Sequence, residues 1–165
     1  MKLDLRDIIE IPGASLPFAC ELDMNRLDFP SIVRYGSAPK ASGVVKNTAG
    51  LLTLTGEIRA DMVCLCDRCM SEYEEHKLLP LEATLTAHPD DDEENAEVFP
   101  LDGDYLDLDD LLETCFILGM ESKHLCREDC AGLCDRCGAN LNLGPCGCKT
   151  ETDPRLAVLE QLLDK

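Results

Sequence analysis

The sequence predicts an α+β fold. Its parts are an antiparallel β-rich N-terminal part with hairpins, one central helix, a cysteine-rich knuckle segment and a C-terminal helix. Three observations carry this expectation. Apolar residues alternate with polar ones across residues 52–66 and 79–87, the period of a half-buried strand. A capped apolar stripe at helical spacing starts at Asp107. Cysteines then gather between Cys126 and Cys148, and a Cys-Asp-Arg-Cys element occurs twice, at 66–69 and at 134–137.

Taken in order, Leu16, Phe18, Cys20, Leu22 and Met24 occupy every second position and mark a strand. Val44 and Val45 lie on a further strand, and Asn47-Thr48-Ala49-Gly50 supplies a turn after it. From Leu52 to Cys66 the pattern is clearest. Leu52, Leu54, Ile58, Ala60, Met62 and Cys64 face one way, and Thr53, Thr55, Glu57, Arg59 and Asp61 the other. Another strand runs from Glu72 to Ala87, with Leu79, Leu81, Ala83, Leu85 and Ala87 in alternation. The run His88-Pro89-Asp90-Asp91-Asp92-Glu93-Glu94-Asn95 opens an acidic loop, and no Lys or Arg occurs between Leu78 and Ser122. Such a run reads as solvated chain, or more sharply as a docking site for a basic partner. Asp107 to Leu118 follows as a helix, with Asp109 and Asp110 at the positive end of its dipole and Leu108, Leu111, Leu112 and Cys115 as its stripe. A last helix begins at Asp153-Pro154, a cap followed by proline, and shows Leu156, Leu159, Leu162 and Leu163 on one face. The expected organisation is a single domain over 1–165. It divides into a β-rich part at 1–88 with the first cysteine knuckle, an acidic loop at 89–106, a helix at 107–119, a cysteine-rich metal-binding segment at 120–150 and the closing helix at 153–164.

Composition narrows the function classes. Apolar residues are 45% of the chain, but aromatics are 4% and Trp is absent, so the core is modest and aliphatic. Lys and Arg number 15 against 33 Asp and Glu, for a net charge of −18. That surface repels a phosphate backbone, because nucleic-acid affinity comes largely from Lys and Arg displacing counterions. It suits a basic protein partner instead. Residues 1–7 lack the apolar core of a signal peptide, and no run approaches the ~20 apolar residues of a membrane span. The expectation is a cytoplasmic chain without membrane contact. There thiols stay reduced, and closely spaced cysteines read as metal sites or redox centres.

Eleven cysteines are present. Cys66-Asp67-Arg68-Cys69 stands between two strands, whereas a redox Cys-x-x-Cys belongs at a helix N-terminus, so metal is favoured. Cys134-Asp135-Arg136-Cys137 precedes Cys146 and Cys148, giving four soft ligands within a short stretch, as tetrahedral zinc requires. Cys126 and Cys130 complete a set of eight candidate ligands. In the simplest partition Cys66, Cys69, Cys126 and Cys130 share one zinc, and Cys134, Cys137, Cys146 and Cys148 another, for two zinc ions per chain. A rival joins Cys126, Cys130, Cys134 and Cys137, leaving Cys146 and Cys148 to the first knuckle. Iron–sulfur ligation is a third option. Cys20, Cys64 and Cys115 read as ordinary buried cysteines, and His76, His88 and His124 as surface residues, with His124 near enough to Cys126 to stand in as a ligand. No catalytic triad, phosphate loop or paired carboxylates appear.

These features resemble the YceD family, named for accumulation of the large ribosomal subunit RNA. The likeness rests on the Cys66–Cys69 knuckle after a long strand and on the acidic loop followed by the 107–118 helix. It also rests on Gly132-Leu133-Cys134-Asp135-Arg136-Cys137-Gly138-Ala139-Asn140-Leu141-Asn142 and on Asp153-Pro154-Arg155-Leu156-Ala157-Val158-Leu159. The resemblance implies a non-enzymatic role in ribosome biogenesis, tied to 23S rRNA production. It also implies a setting beside a small basic large-subunit protein, next to whose gene those of the family often lie. Family members vary in their C-terminal cysteines, so metal would serve this branch rather than the shared function. The expected partner is a ribosomal protein or assembly factor of basic charge. Contact with rRNA would be indirect or through a small patch, for which Arg127, Arg136 and Lys149 are candidates. The alternative is a thiol- or zinc-dependent redox or metal-handling protein.

Overall fold

The computed structural model describes residues 1–87 and 98–148. Its centre is a six-stranded sheet dominated by two long neighbours, β5 (Leu51–Leu65) and β6 (Glu72–Thr86). They pair antiparallel from Leu52↔Leu85 to Leu65↔Glu72, so the hairpin tip carries residues 66–71. Alternation decides which face is covered. Leu52, Leu54, Ile58, Ala60, Met62 and Cys64 of β5 are buried, as are Leu79, Leu81, Ala83 and Leu85 of β6. Ahead of them come β1 (Lys2–Asp4), the short helix α1 (Arg6–Ile9), β2 (Ser15–Glu21), β3 (Ile32–Tyr35) and β4 (Lys40–Thr48). β2 pairs with β4 and β4 with β5, while β3 takes the far end of β5 through Ile32↔Cys64 and Tyr35↔Met62.

Two local devices set the β4–β5 register. The two-residue turn is Ala49-Gly50, both at positive φ (53° and 93°), whose twist matches that of the flanking strands. Asn47, 2% exposed, is fully satisfied: its Nδ2 donates to the carbonyls of Ile8 and Ile9 at 2.8 and 2.6 Å, and its Oδ1 accepts from the Gly50 N–H at 2.8 Å. Asn47 thereby pins α1 to the hairpin. Farther along, Gly43 and Gly56 stand directly opposite each other. A Cβ on Gly56 would lie 2.3 Å from the Ser42 carbonyl oxygen, and one on Gly43 would lie 2.8 Å from the Phe18 ring. The close approach of β4 and β5 requires both glycines. Gly56→Ala is expected to cost about 3 kcal/mol through backbone displacement, read as a lowered urea midpoint; a shift equivalent to less than about 0.5 kcal/mol, the range of an ordinary surface change, would show that the strands open without penalty.

The rest differs from expectation in instructive ways. The strand expected through Met24 is β2 and ends at Glu21, because the Asp23 side chain accepts the Asn25 N–H at 3.0 Å and turns residues 24–26 into a 3-10 helix. Within the stretch expected as acidic loop lie two short strands, β7 (Val98–Pro100) and β8 (Tyr105–Asp107). β7 joins β6 in parallel, so the sheet is mixed rather than wholly antiparallel, and β8 pairs with β1 at the N-terminus. Both are short pairings with distant partners, and three residues are too few to show a period. Helix α2 (Leu108–Gly119) is capped by Asp107, which accepts the Asp110 N–H at 3.4 Å. It buries Leu108, Leu111, Leu112 and Phe116, with Cys115 only half-buried. Phe116 meets Phe29 edge-to-face at 5.8 Å. The expected C-terminal helix at 153–164, the run from His88 to Asn95 and Lys149 lie outside the described residues.

The surface charge is better balanced in space than along the chain. Arg26 pairs with Asp110 and Glu113, Lys2 with Asp102, Lys77 with Glu121 and the Met1 amino group with Asp109. Cations from other elements thus reach the stretch between Leu78 and Ser122. No helix among the described residues is long and apolar enough to cross a membrane.

Candidate metal centre

The hairpin tip is shaped for its sulfurs. The Cys66 N–H donates to the Ser71 carbonyl at 3.0 Å and the Met70 N–H to the Cys66 carbonyl at 2.8 Å, with Met70 at φ 56°. This turn points the thiols of Cys66 and Cys69 inward, where they are 0% and 4% exposed. The chain after α2 crosses the tip and is held there by a reciprocal pair. His124 N–H donates to Asp67 Oδ2 at 2.6 Å, and Asp67 N–H donates to the His124 carbonyl at 2.8 Å. Arg68 adds a bond from Nη1 to the Cys130 carbonyl at 3.0 Å. Gly132, at φ 75°, passes so near the Arg68 carbonyl that a Cβ would lie 3.2 Å from it.

These contacts bring four sulfurs together. Those of Cys66, Cys69, Cys126 and Cys130 lie within 4.8 Å of one another, with Cys66–Cys130 at 3.8 Å and Cys69–Cys126 at 3.7 Å. A tetrahedron with Zn–S bonds near 2.3 Å has edges of about 3.8 Å, so the donor set fits zinc. Cys134, Cys137, Cys146 and Cys148 form a second set within the same limit. Of the two partitions open to the sequence, the side chains adopt the one that joins the hairpin tip to residues 126–130.

Backbone amides prepare both sets for anionic sulfur. Burial opposes ionisation of Cys66, but N–H groups of Cys126, Cys69 and Arg68 outweigh it and bring the thiol down to about 6. The Cys137 and Arg136 amides bring Cys134 down to about 7. Their neighbours shift the other way: burial and the adjacent sulfurs push Cys126 up, and the Cys137 sulfur and burial push Cys148 up. A divalent ion would offset the negative charge that thiolates bring to either set. Asn142 Nδ2 also reaches the Cys130 sulfur, at 3.3 Å.

Cys20 and Cys115 are half-buried and stand outside both sets. Cys20→Ala and Cys115→Ala are expected to leave metal content unchanged by elemental analysis. Cys64 is fully buried, and burial with the Glu75 carboxylate pushes its thiol up to about 11. His124 corrects the sequence reading: it is 4% exposed, with Nδ1 3.5 Å from Glu75 Oε2. Nothing local marks it as buried; the Asp67 pairing draws it in. His76 stays on the surface beside Asp61, at 2.7 Å. Of the candidate cationic patch, Arg127 is engaged with Asn142 at 2.7 Å and Asp129 at 3.4 Å.

Residues 54–163 match the family described as large ribosomal RNA subunit accumulation protein YceD. Similar curated proteins include one from Mycobacterium bovis and others from two strains of Mycobacterium tuberculosis, all bearing names that assign no function. Each is 32% identical in an alignment of 123 residues that covers 72% of this chain and 59% of the relative. The chain therefore spans well under two thirds of the length of these relatives. No solved structure matches it. The chain belongs to the YceD family.

Proposed function

From this membership we propose that the chain is a non-enzymatic zinc-binding factor in ribosome biogenesis. It would support 23S rRNA accumulation and large-subunit assembly as an acidic adaptor for a basic partner, a ribosomal protein or assembly factor, in the cytoplasm. The observation that carries the metal part is the pair of four-cysteine sets, each complete without an outside donor. Closed four-ligand sites are structural, whereas catalytic zinc keeps a position open. A thiol-redox reading fits poorly, since Cys66 is 0% exposed between two strands and away from any helix N-terminus. The family description supports the ribosomal part, naming RNA accumulation and no reaction.

The adaptor part rests on the net charge of −18. Cationic ribosomal proteins need shielding before they meet rRNA, and opposite fields speed their capture. The five acids Asp90, Asp91, Asp92, Glu93 and Glu94 are the part to test, since cations elsewhere already pair with Asp102 and with acids of α2. Neutralising all five is expected to slow association about tenfold at low salt and flatten its salt dependence. The comparison is a pull-down from lysate at low and moderate salt, with mass spectrometry of proteins and RNA. Equal recovery of ribosomal components at every salt would reduce the loop to solvated chain. Tight binding of purified 23S rRNA by the protein alone would replace the adaptor reading with direct RNA recognition.

A further inference from the structure

Beside the first four-cysteine set lies a cluster of different chemistry. The Cys64 sulfur, a Glu75 oxygen and a His124 ring nitrogen lie within 4.8 Å of one another. Cys64 is 0% and His124 4% exposed, and the Glu75 side chain is 18% exposed. His124 Nδ1 is buried without a hydrogen-bond partner, at 3.5 Å from Glu75 Oε2. An orphaned buried ring nitrogen is costly, and the separation is long for the strong bond that an imidazolium and a carboxylate would make. It is close to the edge of a tetrahedron around zinc, about 3.4 Å for N and O ligands with bonds near 2.1 Å.

We infer that Cys64, Glu75 and His124 form a third, three-ligand metal site for zinc. One thiolate, one carboxylate and a neutral imidazole balance a divalent charge, and the buried thiolate disfavours magnesium or calcium. The surroundings hold the ligands in place. Tyr73 donates from its hydroxyl to Glu75 Oε2 at 3.1 Å, and Lys77 donates to Oε1 at 3.4 Å. Lys77 also bonds Glu121 at 2.6 Å, which keeps its cation on the far oxygen of the carboxylate. The reciprocal bonds between Asp67 and His124 fix the histidine backbone. A groove lined by Leu65, Asp67, Met120 and His124 brings solvent up to one of the three ligands, His124. When the ion enters, the Cys64 thiol proton leaves to solvent and the fourth position takes a water, so this site differs in kind from the two closed sets.

The test loads the full-length protein with cadmium-113 and records its NMR spectrum, alongside equilibrium dialysis against zinc. The expected result is three resonances, two at the low-field positions of all-sulfur sites and one well upfield from a mixed sulfur–nitrogen–oxygen site. Dialysis should give three zinc ions per chain. His124→Gln and the more conservative Glu75→Gln should each remove the upfield signal and one ion, with both low-field signals retained as the control for folding. A wild-type spectrum with low-field signals only, and two ions per chain in wild type and variants alike, would overturn the site. Should both variants lose every signal, the wild-type upfield resonance alone decides, because no all-sulfur site produces it.

Discussion

Cys130→Ser is expected to lower the zinc content by about one ion per chain and to detach the segment after α2 from the hairpin tip. The reason lies in how little else holds that segment. From residue 120 to 148 its only regular element among the described residues is a single 3-10 turn at Leu141–Leu143. Its buried residues are His124, Cys130, Gly132 and Cys134, with no large apolar side chain among them. Ordering a backbone costs about 1–2 kcal/mol per residue, which so few buried groups cannot offset. A structural zinc site contributes about 10–16 kcal/mol of apparent binding energy at neutral pH, and here that energy becomes folding energy for the segment. Cys130 is the position to change, because its sulfur is 3.8 Å from Cys66 and its carbonyl accepts from Arg68 at 3.0 Å. Elemental analysis reads the lost ion, and limited proteolysis reads the segment, with new cleavage between residues 120 and 148 while the sheet stays resistant. Unchanged zinc content and an unchanged cleavage pattern would show that the four sulfurs merely pack together.

Phe116→Ala should produce the largest loss among apolar substitutions, about 3–5 kcal/mol. Phe116 is 0% exposed on the inner face of α2, and its ring meets Phe29 edge-to-face at 5.8 Å. Truncation removes that pair and leaves a cavity between the helix and the sheet. Domains of this kind have about 5–15 kcal/mol of stability in total, so the variant should lose a third of it or more at the middle of that range. Urea denaturation with zinc held saturating isolates this effect from the metal sites. Leu118→Ala, at a position 64% exposed on the same helix, is the comparison and should change stability by less than about 0.5 kcal/mol. Equal shifts in the two variants would mean that α2 is not seated as described.

Much of this was legible in the residues. The buried set on β5 is the set that alternation picks out, and β6 repeats the agreement from Leu79 to Leu85. The Ala49-Gly50 turn and the Asp107 cap fall where turn and cap chemistry puts them. On α2, by contrast, the stripe expected through Cys115 runs through Phe116. Both lie close to the apolar face, and the Phe29 ring opposite selects the larger side chain.

Periodicity and capping are short-range, acting between residues that the chain itself holds together. The long hairpin, the central helix and the two Cys-x-x-Cys turns were therefore determined by the sequence alone. Which cysteines meet was decided by the tertiary structure. Cys66 and Cys130 are joined because the chain after α2 returns across the hairpin tip and is fixed there by Asp67 and Arg68, whereas spacing alone permitted either partition. The same return buries His124 beside Cys64 and Glu75, and the packing of the 3-10 turn at Met24–Arg26 brings Arg26 to the acids of α2. Contacts of that kind depend on where distant segments settle once the sheet has its register. Their free energy exists only in the assembled fold, so no local pattern records them.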